Sequence, residues 1–258
     1  MGISLYASRI VLQQLGVEDF GVYSVVGSLS MFFLFLNYGV STAIQRFLTY
    51  EIGIKNDEGL QKCFSSGLAV TILICIVLIT AGEIAGFFAI DYLLDIPAGK
   101  EGDALFVYQF TLLMIVLDLF KSCFQSLILS YERMSFFAYL SIAEALLKLT
   151  VVMLLSIFPG NKLHIYVILL TSSSFLILIC YLLYSRINFP NVKLTLRGGR
   201  ERLRTIVSFT GWNTLSSFAD LCYMQGSNIV LNMFYGVALN AAMGITNQVK
   251  TAVMTFSK

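Results

Sequence analysis

The sequence is poor in charged residues. Asp, Glu, Lys and Arg make up only 12% of its 258 residues, and apolar residues make up 57%, whereas a typical soluble domain has about 25% charged residues. The apolar residues form long runs, such as 68–79 and 165–183, without the regular polar positions of a water-exposed amphipathic helix. Because a helix needs roughly 20 apolar residues to cross a hydrocarbon core, the sequence predicts an all-α, polytopic membrane protein.

The residue types that catalytic and metal sites need are also scarce. The five cysteines have no C-x-x-C spacing, which excludes the common zinc and dithiol motifs. The one histidine, His164, falls in a predicted loop and is expected to be solvated. No glycine-rich phosphate loop, nucleophile elbow or acid–histidine pairing is evident, and a net charge of +2 leaves no nucleic-acid footprint. We therefore expect no enzyme activity, cofactor, metal ion or nucleic-acid partner.

Apolar runs separated by polar turns predict about eight helices. They are expected at residues 3–15, 20–49, 63–94, 103–130, 135–158, 163–186, 205–234 and 238–257. Asp103, Ser135 and Asn161 or Lys162 stand where helix N-caps are needed. The first helix is too short to span a membrane, and the last stops without a capping glycine or polar tail. Both ends of the chain are therefore expected to be truncated.

Small residues within the apolar runs predict packing rather than chemistry. Gly82 and Gly86 form a G-x-x-x-G step, which lets two membrane helices approach closely. The cysteines are expected to be small buried apolar side chains: Cys63, Cys75, Cys123, Cys180 and Cys222.

The longest connection divides the predicted helices into two groups. Residues 188–204 contain a proline, a Gly-Gly pair and five basic residues, a composition typical of a linker. Six helices precede it, in residues 1–187, and two follow it, in residues 205–258. The predicted architecture is a six-helix lobe that lacks part of its first helix, a basic linker, and the first two helices of a second lobe, as in the repeats that many transporters use.

Positive charge is distributed unequally between the two sides of the predicted bundle. One side carries ten Lys and Arg residues, and the other carries only Lys100 and Lys162. Because Lys and Arg are retained on the cytoplasmic side of a membrane, the loops near residues 50–60, 131–134 and 187–204 are predicted to be cytoplasmic.

Several ionisable residues fall inside predicted helices, where a charge costs at least about 2.5 kcal/mol at the bilayer centre. Asp118 and Lys121 are three residues apart, so they share a helix face. Glu144 and Lys148 are four apart and share a face in the same way. The two pairs are either structural contacts between helices or part of a polar translocation path.

Other charges in the predicted helices have no such neighbour. Arg9, Lys250 and Glu83 have no opposite charge within helical reach in the sequence. For Arg9 and Lys250 one interpretation is a cavity that holds an anionic headgroup, and the other is a partner on another helix. Arg46, at the predicted cytoplasmic end of the second helix, either reaches the membrane surface or guards the mouth of such a cavity. Asp220 lies in the seventh predicted helix.

Four blocks of the sequence resemble a known family. They are RIVLQQLGVEDFGVY from Arg9, YERMSFFAY from Tyr131, FTGWN from Phe209 and NAAMG from Asn240. On these blocks the chain resembles the polysaccharide-export (O-antigen-type) branch of the multidrug, oligosaccharidyl-lipid and polysaccharide flippase superfamily, especially versions from Bacteroides-like bacteria. The resemblance implies two lobes around a central cavity in the bacterial inner membrane. It also implies flipping of undecaprenyl-pyrophosphate-linked oligosaccharide by alternating access, for surface polysaccharide such as lipopolysaccharide.

The resemblance also suggests which residues contact the substrate. Basic residues on the first, second and eighth helices of such relatives are implicated in holding the pyrophosphate, and Arg9, Arg46 and Lys250 match them by location. Relatives tend to carry arginine where Met243 stands, so one cationic contact is expected to be absent. Relatives are also longer, so this chain is expected to be inactive without the missing helices. Membrane lipid and the lipid-linked oligosaccharide are the expected partners, with H⁺ or Na⁺ as the coupling ion. The candidate coupling or structural charges are Glu83, Asp118, Lys121, Glu144, Lys148 and Asp220.

The sequence leaves other functions open. A cation-coupled multidrug exporter of the same fold needs an acidic cavity, for which Glu83 and Asp220 are candidates. A membrane enzyme of polysaccharide assembly, such as a polymerase or ligase, needs large outer loops, whereas the predicted outer loops are short. A purely structural subunit would tolerate replacement of the charges inside its helices.

Overall fold

A computed structural model shows a bundle of α-helices. It describes residues 2–31, 34–88, 100–157, 160–190, 192, 204–220 and 222–223, and no strand occurs among them. Six helices have bounds α1 Gly2–Met31, α2 Leu34–Gly53, α3 Asp57–Phe88, α4 Glu101–Ser130, α5 Met134–Leu154 and α6 Lys162–Asn188. Residues 204–220 form a further helical segment, α7. The predicted all-α bundle is confirmed, and the predicted eighth helix lies outside the described residues.

The first element, α1, is interrupted at a glycine. Gly16 has φ 81° and ψ 172°, which is not helical, and glycine adopts a positive φ at no steric cost. A Cβ at this position would meet open space, so the backbone conformation, and not crowding, is what requires glycine here. The sequence predicted the end of a helix at this point. The predicted helix 20–49 corresponds to the second half of α1 together with α2.

Four of the helices described here, α3 to α6, are long and apolar enough to cross a membrane. The candidate span in α3, Asp57–Ile84, is 28 residues long, which at 1.5 Å per residue exceeds a hydrocarbon core of about 30 Å. Little of the apolar stretch of α5 is buried, and large apolar side chains on its surface, such as Tyr139, Ile142 and Leu146, are exposed. An apolar surface of this kind is suited to contact with membrane lipid or with another protein surface. The chain is a multi-pass membrane protein.

The central helix of the bundle is α4, which packs against α1, α2, α3, α5 and α6. Hydroxyl groups on α4 join it to α2. Ser126 Oγ lies 3.0 Å from Ser41 Oγ and donates to the Ser41 carbonyl oxygen at 3.0 Å. One turn further on, Ser130 Oγ donates to the carbonyl oxygen of Gln45 at 3.2 Å. Small polar side chains of this kind let membrane helices approach and bond to each other.

The G-x-x-x-G step packs α3 against α4, as predicted. The Tyr108 hydroxyl donates to the Gly82 carbonyl oxygen at 2.5 Å. A Cβ on Gly86 would lie only 2.2 Å from Cε1 of Tyr108, so the tyrosine ring occupies the space that a side chain would need. Of the cysteines, three are buried, as expected, whereas Cys180 is half-buried and Cys222 is exposed, which corrects the prediction at these two positions.

The predicted helix caps are correct at one of three positions. The Asn161 side chain caps α6 by accepting hydrogen bonds from the backbone N–H groups of Leu163 and His164. By contrast, α4 begins after Lys100 and α5 begins after Arg133, and neither residue makes a side-chain capping bond. Asp103 and Ser135 therefore lie within the first turns of their helices, which leaves the Asp103 carboxylate available for contacts with other elements.

Candidate functional site

Four charged side chains form a continuous network between α4 and α5. On α4, Nζ of Lys121 lies 2.9 Å from Oδ1 of Asp118. The same Nζ lies 3.4 Å from Oε2 of Glu144 on α5, and Oε1 of Glu144 lies 3.0 Å from Nζ of Lys148. The charges alternate in sign along the network and sum to zero. The two same-helix contacts match the predicted spacing, whereas the contact between helices could not be read from the sequence.

The network is most buried at its centre. The Lys121 side chain is 14% exposed, whereas that of Lys148 is 52% exposed. Both helices are candidate membrane spans, and all four residues lie in their interiors. An ionised group in such surroundings depends on its partners, because removing one partner leaves an uncompensated charge. The fold therefore brings together all four predicted charges: Asp118, Lys121, Glu144 and Lys148. Their role in transport remains a prediction.

The second site lies where α2 meets α7. The guanidinium carbon of Arg46 lies 4.6 Å from the centroid of the Phe209 ring, and the ring of Phe47 packs edge-on against the same phenylalanine at 5.5 Å. Further along the two helices, Nδ2 of Asn213 donates to the carbonyl oxygen of Gly39 at 3.0 Å. Arg46 is exposed and takes part in none of the ion pairs found within the described residues.

The three residues predicted to hold substrate are not brought together by the described part of the chain. Arg46 is placed as above. Arg9 lies in the first half of α1, but its side chain is outside what the structure describes. Lys250 and Met243 also lie outside the described residues. That Arg9, Arg46 and Lys250 form one anion-binding site therefore remains a prediction.

Two predicted acidic residues stand apart from the network. Glu83 is exposed near the end of α3, and its Oε2 accepts a hydrogen bond from Nε2 of Gln109 on α4 at 2.9 Å. Asp220 is exposed at the end of α7. Neither carboxylate forms an ion pair within the described parts of the chain. Glu83 is thus held by a neutral donor, which the sequence did not reveal.

An ionic contact that the sequence did not indicate lies at the predicted outer end of the bundle. The Lys100 ammonium donates to the carboxylate of Asp19, on the second half of α1, and lies 3.8 Å from Oε2 of Glu18. The hydrogen bond that Lys100 donates to Asp19 raises the pKa of Lys100 above its ordinary value. A raised lysine pKa means that this contact contributes its full stability at neutral pH and loses it only as the pH rises through the raised pKa.

His164 is packed against protein, which corrects the expectation of a solvated loop residue. Its ring stacks on Phe106 with centroids 4.1 Å apart, and its Nε2 lies 2.7 Å from Oδ1 of Asp103. Within the described residues this contact does not have the geometry of a hydrogen bond. This acid–histidine pair joins the first turns of α4 and α6, and no spacing in the sequence indicates it.

Comparison with known proteins places the chain in one family. A family model described as "Polysaccharide biosynthesis protein" matches residues 3–258, which include all of the helices described above except the first residue of α1. No curated protein and no solved structure matches the chain.

Proposed function

The chain belongs to the family of polysaccharide biosynthesis proteins, and from this membership we propose that it moves undecaprenyl-pyrophosphate-linked oligosaccharide across the bacterial inner membrane. The proposal places it in the polysaccharide-export branch of the flippases, working by alternating access between two lobes. Three features support this: the family match along the chain, four apolar helices, and charges retained inside those helices, which in membrane proteins commonly mark a transport path.

The observation that carries the proposal is the environment of Arg46. Its guanidinium carbon lies over the Phe209 ring, 4.6 Å from the centroid, so the ring holds the cation from one side. Phe209 has no hydrogen-bond acceptor in its side chain and Arg46 is exposed, so the N–H donors of the guanidinium are available to phosphate oxygens. Arg46 is exposed at the contact between α2 and α7, where the first lobe would meet the second. We assign Arg46 to the pyrophosphate, together with Arg9 and Lys250.

The experiment is deletion of the gene in its native host, followed by complementation with the complete gene carrying wild type, Arg46→Ala or Arg133→Ala. Arg133 is a matched control because it is an exposed arginine on the turn before α5. We expect loss of surface polysaccharide and accumulation of lipid-linked units on the cytoplasmic side in the deletion and in Arg46→Ala. Full export by Arg46→Ala, at wild-type protein levels, would remove Arg46 from the site. A deletion strain with normal surface polysaccharide would overturn the function.

A cation-coupled multidrug exporter is the second candidate, favoured by Glu83. This carboxylate has a neutral hydrogen-bond partner and no ion pair among the described residues, so it could bind and release a coupling cation. This hypothesis predicts that deletion of the gene lowers resistance to cationic drugs, and that complementation with the Glu83→Gln variant does not restore that resistance. Unchanged drug resistance in the deletion strain would eliminate this candidate.

A further inference from the structure

A cavity of about 500 Å³ opens between the ends of α3, α4 and α6. Most of its wall is apolar, including Phe64 of α3, Phe124 and Leu127 of α4, and Leu182 of α6. Its volume falls in the range of small-molecule sites, which are largely apolar with a few polar groups that orient the ligand. None of its lining residues belongs to α2 or α7, so it is separate from the Arg46 site.

Two adjacent residues of α6 supply the polar part of the wall. Ser185 is 5% exposed, and its Oγ is buried without a hydrogen-bond partner among the residues that the structure describes. Arg186 is exposed and joins none of the ion pairs within the described residues. A buried hydroxyl without a partner is costly, and an arginine without one is suited to a phosphate. Both groups are therefore matched to a ligand that carries acceptor oxygens at the mouth of an apolar cavity.

The cavity lies at the predicted cytoplasmic surface of the membrane. Leu127 is close to the end of α4 at Ser130, and Arg186 is close to the end of α6 at Asn188. These ends lead into the turn at 131–134 and the linker at 188–204, both predicted to be cytoplasmic. The linker adds five basic residues directly after α6. Basic pockets between membrane helices on this side bind the headgroups of anionic lipids.

We propose that this cavity binds an anionic phospholipid of the inner leaflet. Its acyl chain lies between Phe64, Phe124 and Leu182, and its phosphate accepts hydrogen bonds from Arg186. The Ser185 hydroxyl donates to an ester oxygen of the same lipid. The site does not depend on the proposed transport function, because it uses other helices and another ligand.

The test is native mass spectrometry of the purified, delipidated chain, titrated separately with phosphatidylglycerol, phosphatidylcholine and undecaprenyl phosphate. Both lipids carry a phosphate that Arg186 can contact, but the quaternary ammonium of phosphatidylcholine cancels the headgroup charge and is repelled by the arginine. We therefore expect phosphatidylglycerol to bind about tenfold more tightly than phosphatidylcholine. Arg186→Gln should abolish that preference, whereas Arg133→Gln, which changes an exposed arginine outside the cavity, should preserve it. Equal binding of both phospholipids to wild type, or an unchanged preference in Arg186→Gln, would overturn the assignment.

A second pair of variants tests whether the acyl chain occupies the cavity. Leu182→Trp fills the cavity and should weaken binding of both phospholipids, whereas Leu183→Trp, at a residue that is 54% exposed on the same helix, should bind like wild type. Circular dichroism of both variants is the check that they are folded. Equal binding of phospholipid by the two tryptophan variants would show that the acyl chain does not occupy the cavity, and would overturn the proposal. Tight binding of undecaprenyl phosphate with none of phosphatidylglycerol would assign the cavity to the polyprenyl lipid and overturn the proposal.

Discussion

At the scale of single residues, the network between α4 and α5 depends on Lys121. Its ammonium contacts a carboxylate on its own helix and another on α5. Lys121 therefore compensates two negative charges within an apolar span. Glu144 also has two cationic partners, but the second of these, Lys148, is half exposed. The two lysines therefore differ in burial and in the number of carboxylates that they neutralise.

We predict that Lys121→Met destabilises the protein by about 3 kcal/mol, because breaking a buried ion pair leaves uncompensated charge. Lys148→Met, the matched control, should cost much less, because this lysine is 52% exposed and has one partner. Thermal unfolding in detergent measures both. Neutralising the partners as well, with Asp118→Asn and Glu144→Gln added to Lys121→Met, should recover most of the loss. Equal destabilisation by the two single lysine variants would contradict this account.

The packing of Tyr108 on the G-x-x-x-G step gives a second prediction at this scale. In Gly86→Ala the new methyl group would overlap the tyrosine ring, since the Cβ would lie 2.2 Å from Cε1. We expect a loss of about 1–3 kcal/mol, typical of overpacking. Gly102→Ala is the control, because a Cβ there meets open space. Thermal unfolding should separate the two variants, and equal midpoints would show that α3 and α4 do not pack this closely.

At the scale of elements, α2 and α4 are joined through serine side chains. Ser126 is fully buried and bonds to Ser41, so a larger side chain there must push the helices apart. We predict that Ser126→Leu unfolds at a clearly lower temperature than wild type. Ser172→Leu, at an exposed serine on α6, should leave the unfolding temperature close to that of wild type. A Ser126→Leu protein as stable as the control would show that this seam is loosely packed.

The backbones of α2 and α7 also approach each other closely. A Cβ on Gly39 would lie 2.9 Å from the backbone Cα of Thr214, so even a small side chain would separate the two helices. If this contact closes the cytoplasmic side during transport, Gly39→Val should reduce export of surface polysaccharide while the protein remains in the membrane. Gly53→Val, where a Cβ meets open space, serves as the control. The complementation assay described above measures both, and normal export by Gly39→Val would show that this contact does not take part in transport.

At the scale of the whole molecule, orientation is the first property to test. The distribution of Lys and Arg predicts that the turns near residues 50–60 and 131–134 face the cytoplasm. In a background without native cysteines, Lys55→Cys and Glu132→Cys should resist an impermeant maleimide added to intact spheroplasts, whereas Glu101→Cys should react. All three positions are exposed. The opposite labelling pattern would invert the topology and place the proposed phospholipid site in the outer leaflet.

The sequence by itself determined the fold class. Scarce charge, long apolar runs and polar turns correctly predicted the all-α membrane bundle, because helix formation and membrane insertion depend on residues close together in the chain. The same holds for the break at Gly16, the cap at Asn161, and the ion pairs within α4 and within α5. Blocks of sequence also pointed to the family of flippases, and the family match supports the polysaccharide-related part of that expectation.

Only the tertiary structure decided which of these residues meet. The contacts of Lys121 with Glu144, Arg46 with Phe209, and His164 with Asp103 join helices far apart in the sequence. The cavity beside Arg186 also needs three helices to form. Contacts of this kind depend on how each helix is rotated and which neighbour it packs against, and an almost uniformly apolar helix carries little periodicity that would fix either one.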